Sequence, residues 1–194
     1  GVNADPTAPA WVYFTFIPSL QALGRARDTL SGAWVEGAAI EFTAPAFDNL
    51  VYTRYPNAGY ASPWLTGPDG SFPTNVFIPT ATHNLKLSKA GYSNLVQVGV
   101  ITAPAAGSVH DLGERLLAPV DTNGNQVADS WELVHFTTNV FVALQDFDHD
   151  GVPNRDEYWA GTDPTNAASV FESDQMDLTN GVTLRWPVTP GRVY

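Results

Sequence analysis

Residues 146–157 read Asp-Phe-Asp-His-Asp-Gly-Val-Pro-Asn-Arg-Asp-Glu. A hard dication such as calcium takes about six to eight oxygens at about 2.3–2.6 Å, so alternate residues of a short loop must point inward. Gly151, the sixth residue, allows the sharp bend that this requires. The carbonyl of Val152 would add a backbone oxygen. The stretch therefore predicts a calcium-binding loop, whose side-chain ligands stand at positions 1, 3, 5, 9 and 12: Asp146, Asp148, Asp150, Asn154 and Glu157.

This spacing is the layout of an EF-hand-type loop. A second, looser copy begins 25 residues upstream, at 121–132. Gln126 replaces Gly at its sixth position, where a left-handed backbone costs about 1–2 kcal/mol. The upstream loop also offers three carboxylates where the downstream loop offers four, so we expect the loop at 146–157 to bind calcium more tightly. The candidate ligands of the upstream loop are Asp121, Asn123, Asn125, the carbonyl of Val127, Asp129 and Glu132.

The alternative is that both stretches are solvated turns, because Asp, Asn and Gly populate turns in any case. Two copies in tandem, each followed by a helix-like segment, favour calcium instead. Residues 121–163 hold seven Asp and two Glu against Arg155 alone, out of a net charge of −11 for the chain. Without metal these carboxylates repel one another. We therefore expect two calcium ions, and we expect their binding to be coupled to the folding of this segment.

Composition excludes several classes of protein. An apolar fraction of 44% with 12% aromatics indicates a packed globular chain. No apolar stretch is long enough to predict a membrane span, and two Lys with no basic patch make nucleic acid an improbable partner. Cysteine is absent, which removes disulfides and thiolate chemistry. Calcium sites of the extracellular type fill at free calcium concentrations of about 10⁻⁴–10⁻³ M, which the cytosol does not offer. We therefore expect an extracellular or cell-surface location.

Residues 1–118 are rich in short runs of β-branched and aromatic residues, bounded by Pro and Gly turn signals. The predicted fold class is mainly β. We expect an antiparallel Greek-key sandwich at 1–118, an EF-hand-like module of calcium loops and helices at 119–170, and a C-terminal strand segment at 171–194. The predicted strands lie at 11–17, 33–43, 50–55, 72–78, 83–87, 95–101 and 181–186.

Three of these β stretches resemble a known family. They read Gly-Ala-Trp-Val at 32–35, Gly-Pro-Asp-Gly-Ser-Phe at 67–72 and Leu-Lys-Leu-Ser-Lys-Ala-Gly-Tyr at 85–92. Together they look like the carboxypeptidase regulatory-like (prealbumin-like) β-sandwich, over roughly residues 20–117. The resemblance implies a non-catalytic module of exported bacterial proteins.

The acidic segment resembles thrombospondin type 3-like and dockerin-like calcium repeats. The resemblance rests on the two loops, on the helix-like 130–136, and on 157–165, where Gly161 would end a helix and Pro164 would prevent its continuation. It implies a calcium-dependent spacer or docking unit rather than a catalyst. In dockerins the residues at loop positions 10 and 11 face the partner. Here these are Ser130 and Trp131 in one loop and Arg155 and Asp156 in the other, two unlike pairs.

No enzyme signature is present in the sequence, so we expect a non-enzymatic protein. The four His are scattered without an HExxH motif, and no GxSxG, P-loop or strand-linked GxGxxG occurs. His149 occupies position 4 of the downstream loop, where side chains usually face solvent. The paired carboxylates fit calcium spacing better than the spacing of a glycosidase.

One aromatic cluster raises a second hypothesis. Tyr52, Tyr55, Tyr60 and Trp64 crowd a segment rich in Pro, Gly and Asn, where exposed rings could stack on sugars. The alternative is that these rings fold the segment down onto the sandwich, which the usual burial of aromatics favours. A buried Trp64 would contradict the glycan hypothesis.

The sequence favours a structural role: an exported building block of a surface or filamentous assembly. The segments at 11–17 and 181–186 are apolar, and either could pair with an exposed sheet edge of a neighbouring copy. The alternative for both is packing within their own chain. A second interpretation is an accessory module for carbohydrate or protein docking, cut from a larger secreted enzyme.

Overall fold

A computed structural model of the protein describes residues 18–44, 63–102, 104–139, 143–172, 175–177 and 183–186. The predicted strands 11–17 and 50–55 and the residues Tyr52, Tyr55 and Tyr60 lie outside these ranges. Within them the chain is mainly β, with two sheets followed by two short helices, as predicted. The strands of the sheets are β1 (Ser19–Asp28), β2 (Ala39–Thr43), β3 (Trp64–Leu65), β4 (Phe77–Pro79), β5 (His83–Ser88), β6 (Leu95–Ile101) and β7 (Val109–Leu117).

The two sheets have the strand orders β4-β1-β7 and β3-β2-β5-β6. Alternate residues of the strands point into the space between the sheets, and β1 and β5 show this period of two most clearly. The sandwich core is built from small and branched apolar side chains together with the rings of Phe42, Trp64 and Phe72. Its largest fully buried members include Leu20, Ile40, Ile78, Leu85, Leu87, Ile101 and Leu117.

The strands β1 and β7 were not among the predicted runs. Both are long, and they are paired with each other in parallel, from Gln21 opposite Val109 to Asp28 opposite Leu117, with a bulge between Leu23 and Arg25. The prediction of a purely antiparallel sandwich is therefore wrong for this pair. The sequence of β1 carries a weak strand signal, because its inward positions are filled by small residues such as Ala22 and Ala26 rather than by β-branched ones.

Two predicted strands are shorter than expected. Only Ala39–Thr43 of the run 33–43 is strand, and Trp34 makes an isolated bridge to Arg27. Only the end of the run 72–78 belongs to β4. Between them, the Gly-Pro-Asp-Gly turn brings Gly70 against β1, where the Ala26 amide donates to the Gly70 carbonyl at 2.8 Å. Gly70 has a φ of +70°, so the turn signal read from the sequence is confirmed.

The acidic segment forms two helices, α1 (Asp129–Phe136) and α2 (Asn154–Ala160). Gly161 ends α2 in a left-handed conformation with a φ of 79°, as predicted. The predicted helix 130–136 is confirmed and begins one residue earlier, at Asp129. No helix in the described ranges is long and apolar enough to be a membrane span.

The acidic segment packs against the sandwich. Leu30 of the sandwich lies against a small buried cluster that belongs to the loops and α2: Val127, Ala128, Ala143 and Tyr158, with Trp131 at its edge. The backbone joins the two parts as well, because the Val120 amide donates to the Gly91 carbonyl at 2.8 Å. The first loop therefore begins where the sandwich ends.

At the C-terminal end, β8 (Gln175–Asp177) and β9 (Thr183–Arg185) form a two-stranded antiparallel sheet. For the segment 181–186 the sequence left open pairing with a neighbouring copy or packing within its own chain. Its described residues Thr183, Leu184 and Arg185 pair within their own chain, with β8, which weakens the case for β9 as a donor strand.

Candidate metal centre

The two acidic loops share one hydrogen-bond frame. In each loop the carboxylate at position 1 accepts the amide of position 6. Asp121 Oδ2 accepts Gln126 N at 2.9 Å, and Asp146 Oδ2 accepts Gly151 N at 2.9 Å. These bonds hold the bend of each loop closed over its first residue. The repeat of 25 residues seen in the sequence is therefore a repeat in structure.

The frame continues at position 5. Its side-chain oxygen accepts the amide of position 7, so Asn125 Oδ1 accepts Val127 N at 2.9 Å and Asp150 Oδ1 accepts Val152 N at 2.8 Å. The hydrogen bond turns each loop inward at its centre. It also occupies one of the atoms that position 5 could offer to a cation.

The side chain at position 9 also accepts a hydrogen bond from a backbone amide in each loop. Asp129 Oδ1 accepts the Thr122 amide at 2.9 Å, and Asn154 Oδ1 accepts the Phe147 amide at 3.1 Å. Both side chains are buried. These two predicted ligands hold the start of their loops through their Oδ1 atoms, a positioning role that sequence spacing did not indicate.

Each loop bends through left-handed residues at positions 4 and 6. In the first loop these are Gly124 and Gln126, and in the second His149 and Gly151. The φ of 70° at Gln126 confirms the strain predicted there, and His149 at 64° carries the matching strain in the other loop. His149 is exposed, as predicted.

Replacing Gln126 with Gly should stabilise the protein by about 0.5–1 kcal/mol. The substitution removes about 1–2 kcal/mol of left-handed backbone strain from the folded state. Roughly half of this gain is lost, because Gly has more conformational freedom in the unfolded chain. Urea unfolding in calcium measures the difference. Gln126→Ala is the control, because Ala keeps the strain; an equal gain in both variants would contradict this reason.

The second loop concentrates buried acceptor oxygens to which no described residue donates a hydrogen bond. One carboxylate oxygen from each of Asp146, Asp148 and Asp150 lies within 4.8 Å of the others. Four buried oxygens of this loop have no hydrogen-bond partner among the described residues: Asp146 Oδ1, Asp148 Oδ2, Asp150 Oδ2 and Glu157 Oε2. Unpaired buried carboxylates are expensive, so this arrangement fits a bound cation. The cluster of Asp146, Asp148 and Asp150 could hold a metal ion.

Glu157 shows the electrostatic strain of this arrangement. Its side chain is fully buried, and Glu157 Oε1 accepts a hydrogen bond from Thr162 Oγ1 at 3.2 Å. Burial first, and then the charges of Asp148, Asp150 and Asp146, raise the pKa of Glu157 to about 7. A nearby dication would reverse this preference for the proton.

In excess EGTA, the unfolding free energy should fall as the pH rises from about 4.5 to above 7. The folded chain keeps a proton on Glu157 up to a pH of about 7, whereas the unfolded chain releases it near 4.5. In calcium the unfolding free energy should instead rise with pH, because calcium binding displaces the proton from Glu157. Comparing the pH profiles of wild type and Glu157→Gln isolates the contribution; equal slopes in EGTA would contradict the prediction.

In the first loop, most of the buried side-chain oxygens have a hydrogen-bond partner. Glu132 is fully buried, and burial, then the charges of Asp129 and Asp121, raise its pKa. Glu132 Oε1 accepts a hydrogen bond from Asn125 Nδ2 at 2.7 Å, and only Glu132 Oε2 remains unpaired among the buried side-chain atoms of residues 121–132. Asn123 donates its amide to the Asn139 carbonyl and also lies near enough to Glu132 to offset part of this rise in pKa.

Trp64 and Trp131, the two aromatic residues considered as partner contacts, both pack within the chain, and for Trp64 this is the alternative that the sequence favoured. Trp64 is only 4% exposed and lies edge-on to the Phe42 ring at 6.4 Å between centroids, so it cannot stack on a sugar. The glycan hypothesis is wrong for Trp64. Trp131, at loop position 11, packs on Tyr158 with 5.3 Å between ring centroids, so much of this ring serves the interior of the module.

No family model and no curated protein matches this chain. Among solved structures it is similar to a type II cohesin–X-dockerin complex, a C-terminal interface mutant, from Acetivibrio cellulolyticus, at 15% identity over 57% of this chain and 64% of that chain, with a TM-score of 0.34. A 3-chlorocatechol 1,2-dioxygenase from Rhodococcus opacus 1CP matches at 15% identity over 54% of this chain and 62% of that chain, with a TM-score of 0.32. The match spans less than two thirds of either structure.

Proposed function

We propose that this chain is a non-enzymatic, calcium-stabilised structural module of an exported protein. The observation that carries the proposal is the set of four buried, unpaired carboxylate oxygens in residues 146–157. They belong to four side chains whose negative charges repel one another at neutral pH. A dication would neutralise this repulsion and join the loop to the first turn of α2 through Glu157.

The donor set favours calcium over other metals. It consists of carboxylate, amide and carbonyl oxygens, which suit hard cations, and it contains no Cys or His ligand. Magnesium keeps several of its waters and prefers one or two carboxylates, whereas this loop brings three Asp carboxylates together and places Glu157 where their charges act on it. Asp146, Asp148, Asp150 and Glu157 would hold the ion in the second loop. Asp121, Asn123, Asn125 and Glu132 are the corresponding groups of the first loop.

Calorimetric titration with calcium, after treatment with EGTA, tests this proposal. We expect up to two ions per chain and a rise in melting temperature on binding. Titration with magnesium is the control and should give much weaker binding. Absence of calcium binding, together with a melting temperature that EGTA leaves unchanged, would overturn the proposal.

An assembling role is supported by one edge of the sandwich. Among the described residues β6 pairs on one side only, with β5. Its side chains Val96 and Val98 are 63% and 83% exposed, an unusual pair of apolar groups on an edge strand. Such an edge can accept an added strand, and the apolar segment 11–17 of a neighbouring copy is the donor that we propose.

Replacing Val98 with Lys tests the assembling role, because a charge on an edge strand opposes strand addition. We expect light scattering in calcium to show association in the wild type and a shift to monomer in the variant. Val134→Lys is the matched control, since Val134 is 77% exposed but lies on α1 rather than on a sheet edge. A wild type that stays monomeric at high concentration would contradict this role.

The second candidate is a docking module of a larger secreted enzyme. It is favoured by large exposed apolar side chains on the acidic module, among them Leu133, Leu144 and Phe147, which are 52%, 72% and 56% exposed. A catalytic domain encoded in the same gene, together with loss of partner binding on Leu144→Asp, would support docking over assembly.

A further inference from the structure

The two loops share a frame but differ in how their acceptors are satisfied. Within the part of the chain that the structure describes, the second loop leaves four buried carboxylate oxygens unpaired, and the first leaves one, Glu132 Oε2. Glu132 and Glu157 occupy the same position of their loops, and both are fully buried. The difference must therefore arise elsewhere in the loops.

Position 5 accounts for one of the three extra unpaired oxygens of the second loop. Positions 1 and 3 account for the other two, because Asp121 Oδ1 accepts the amides of Gly124 and Asn125, and Asn123 stands where the second loop has Asp148.

At position 5, Asp150 Oδ1 accepts the Val152 amide, and Asp150 Oδ2 is buried with no partner among the described residues. Asn125 gives its single oxygen to the Val127 amide, so its other polar atom is the Nδ2 donor. That donor reaches the Glu132 carboxylate at 2.7 Å.

The neighbours fix the orientation of this amide. Exchanging the oxygen and nitrogen of Asn125 would set its amide nitrogen against the Val127 amide and its oxygen against Glu132. Two donors would then face each other, and so would two acceptors. The hydrogen bond between Asn125 and Glu132 is therefore an internal substitute for part of what a cation supplies.

We propose that the first loop is locked by the Asn125–Glu132 hydrogen bond, keeps its conformation without calcium and fills second, whereas the second loop depends on the ion. This inference rests on the proposed calcium function. To bind an ion, the first loop must break a hydrogen bond to a charged group and share the one oxygen of Asn125. The second loop already presents its oxygens.

The first loop adjoins the sandwich, so its stability without calcium affects how the two parts of the chain stay joined. Val120, next to the loop, bonds both to the sandwich at Gly91 and to the Asp129 amide at the start of α1. Val127 and Ala128 lie in the cluster that packs against Leu30 of the sandwich. At low calcium the backbone hydrogen bonds of Val120 should persist while the loop at 146–157 loosens. Ala143 and Tyr158 belong to the same cluster as Val127 and Ala128, so calcium would regulate this loop rather than the whole distal half of the module.

Hydrogen exchange of the full chain, resolved by peptide and followed by mass spectrometry, tests this inference. In EGTA, peptides of residues 146–157 should exchange at least about tenfold faster than in calcium. Peptides of residues 121–132 should change by less than about threefold. Calcium titration should give two steps whose affinities differ by about tenfold or more, the effect of one hydrogen bond to a charged group.

Two reciprocal variants identify the cause. Asn125→Asp removes the lock and adds an oxygen, so the weaker site should gain about tenfold in affinity and peptides 121–132 should become sensitive to EGTA. Asp150→Asn introduces the amide into the second loop and should weaken the tighter site by about tenfold. Circular dichroism in calcium verifies that both variants fold.

The outcomes separate this inference from the proposed function. If neither loop binds calcium, both fall. If calcium binds but the two loops respond alike to EGTA, or if Asn125→Asp leaves the weaker site unchanged, the lock is overturned while the calcium function stands. If calcium binds in two steps, and the two variants reverse or equalise the affinities of the two loops, both the calcium function and the Asn125–Glu132 lock are supported.

Discussion

Replacing Glu157 with Gln should lower the unfolding free energy in calcium and raise it in EGTA at pH 8. Glu157 is fully buried, and one of its oxygens is unpaired within the described part of the chain. Without metal the variant removes a buried negative charge that Asp146, Asp148 and Asp150 repel. With metal it removes a ligand. At free calcium about a hundred times the Kd, an occupied site contributes about 2.7 kcal/mol, and the variant should lose most of this.

Urea unfolding of both proteins in calcium and in EGTA measures the two effects. Asp156→Asn is the matched control, because it makes the same change of charge one residue away, on a side chain that is 46% exposed. The control should change stability by less than about 0.5 kcal/mol in both conditions. A loss of stability for Glu157→Gln of equal size in calcium and in EGTA would indicate a packing role instead of a metal ligand.

Replacing Gly70 with Ala should cost about 3 kcal/mol or more. The backbone at Gly70 is left-handed, and an added Cβ would overlap the Ala26 carbonyl oxygen and lie 3.2 Å from the Trp34 ring. The overlapping oxygen belongs to the backbone of β1, which cannot move without disturbing its pairing with β7. Left-handed strain adds about 1–2 kcal/mol to the cost of the overlap.

Gly107→Ala separates the two contributions. Gly107 has a φ of +75°, yet nothing lies within 4 Å of a Cβ added there. This control should therefore lose about 1–2 kcal/mol from strain alone. Urea unfolding of the two variants gives the difference, and a loss at Gly70 no larger than that at Gly107 would contradict the expected overlap.

Elements with strong local patterns were predictable. The strands β5 and β6 are dense in β-branched residues or alternate clearly, and they lie within one residue of the predicted runs. The end of α2 follows from Gly161. The strands β1 and β7 carry a weaker signal. Their pairing joins residues about 90 positions apart in the chain, and no local pattern reports such a contact.

The candidate site was predictable in its residues but not in its asymmetry. Spacing placed the acidic side chains of both loops, and the structure brings three of the Asp carboxylates together. Spacing could not show which oxygens the backbone already uses. That Asn125 donates to Glu132, and that Asn154 holds the Phe147 amide, depends on the folded hydrogen-bond frame.

The parallel pairing of β1 with β7 has a mechanical consequence. A pull that draws the chain apart at Ser19 and at Leu117 acts along these two neighbouring strands in opposite directions. Their backbone hydrogen bonds are then loaded sideways and together, rather than peeled one after another. A sandwich closed in this way should resist stretching strongly along its length, which suits a link in a chain under tension.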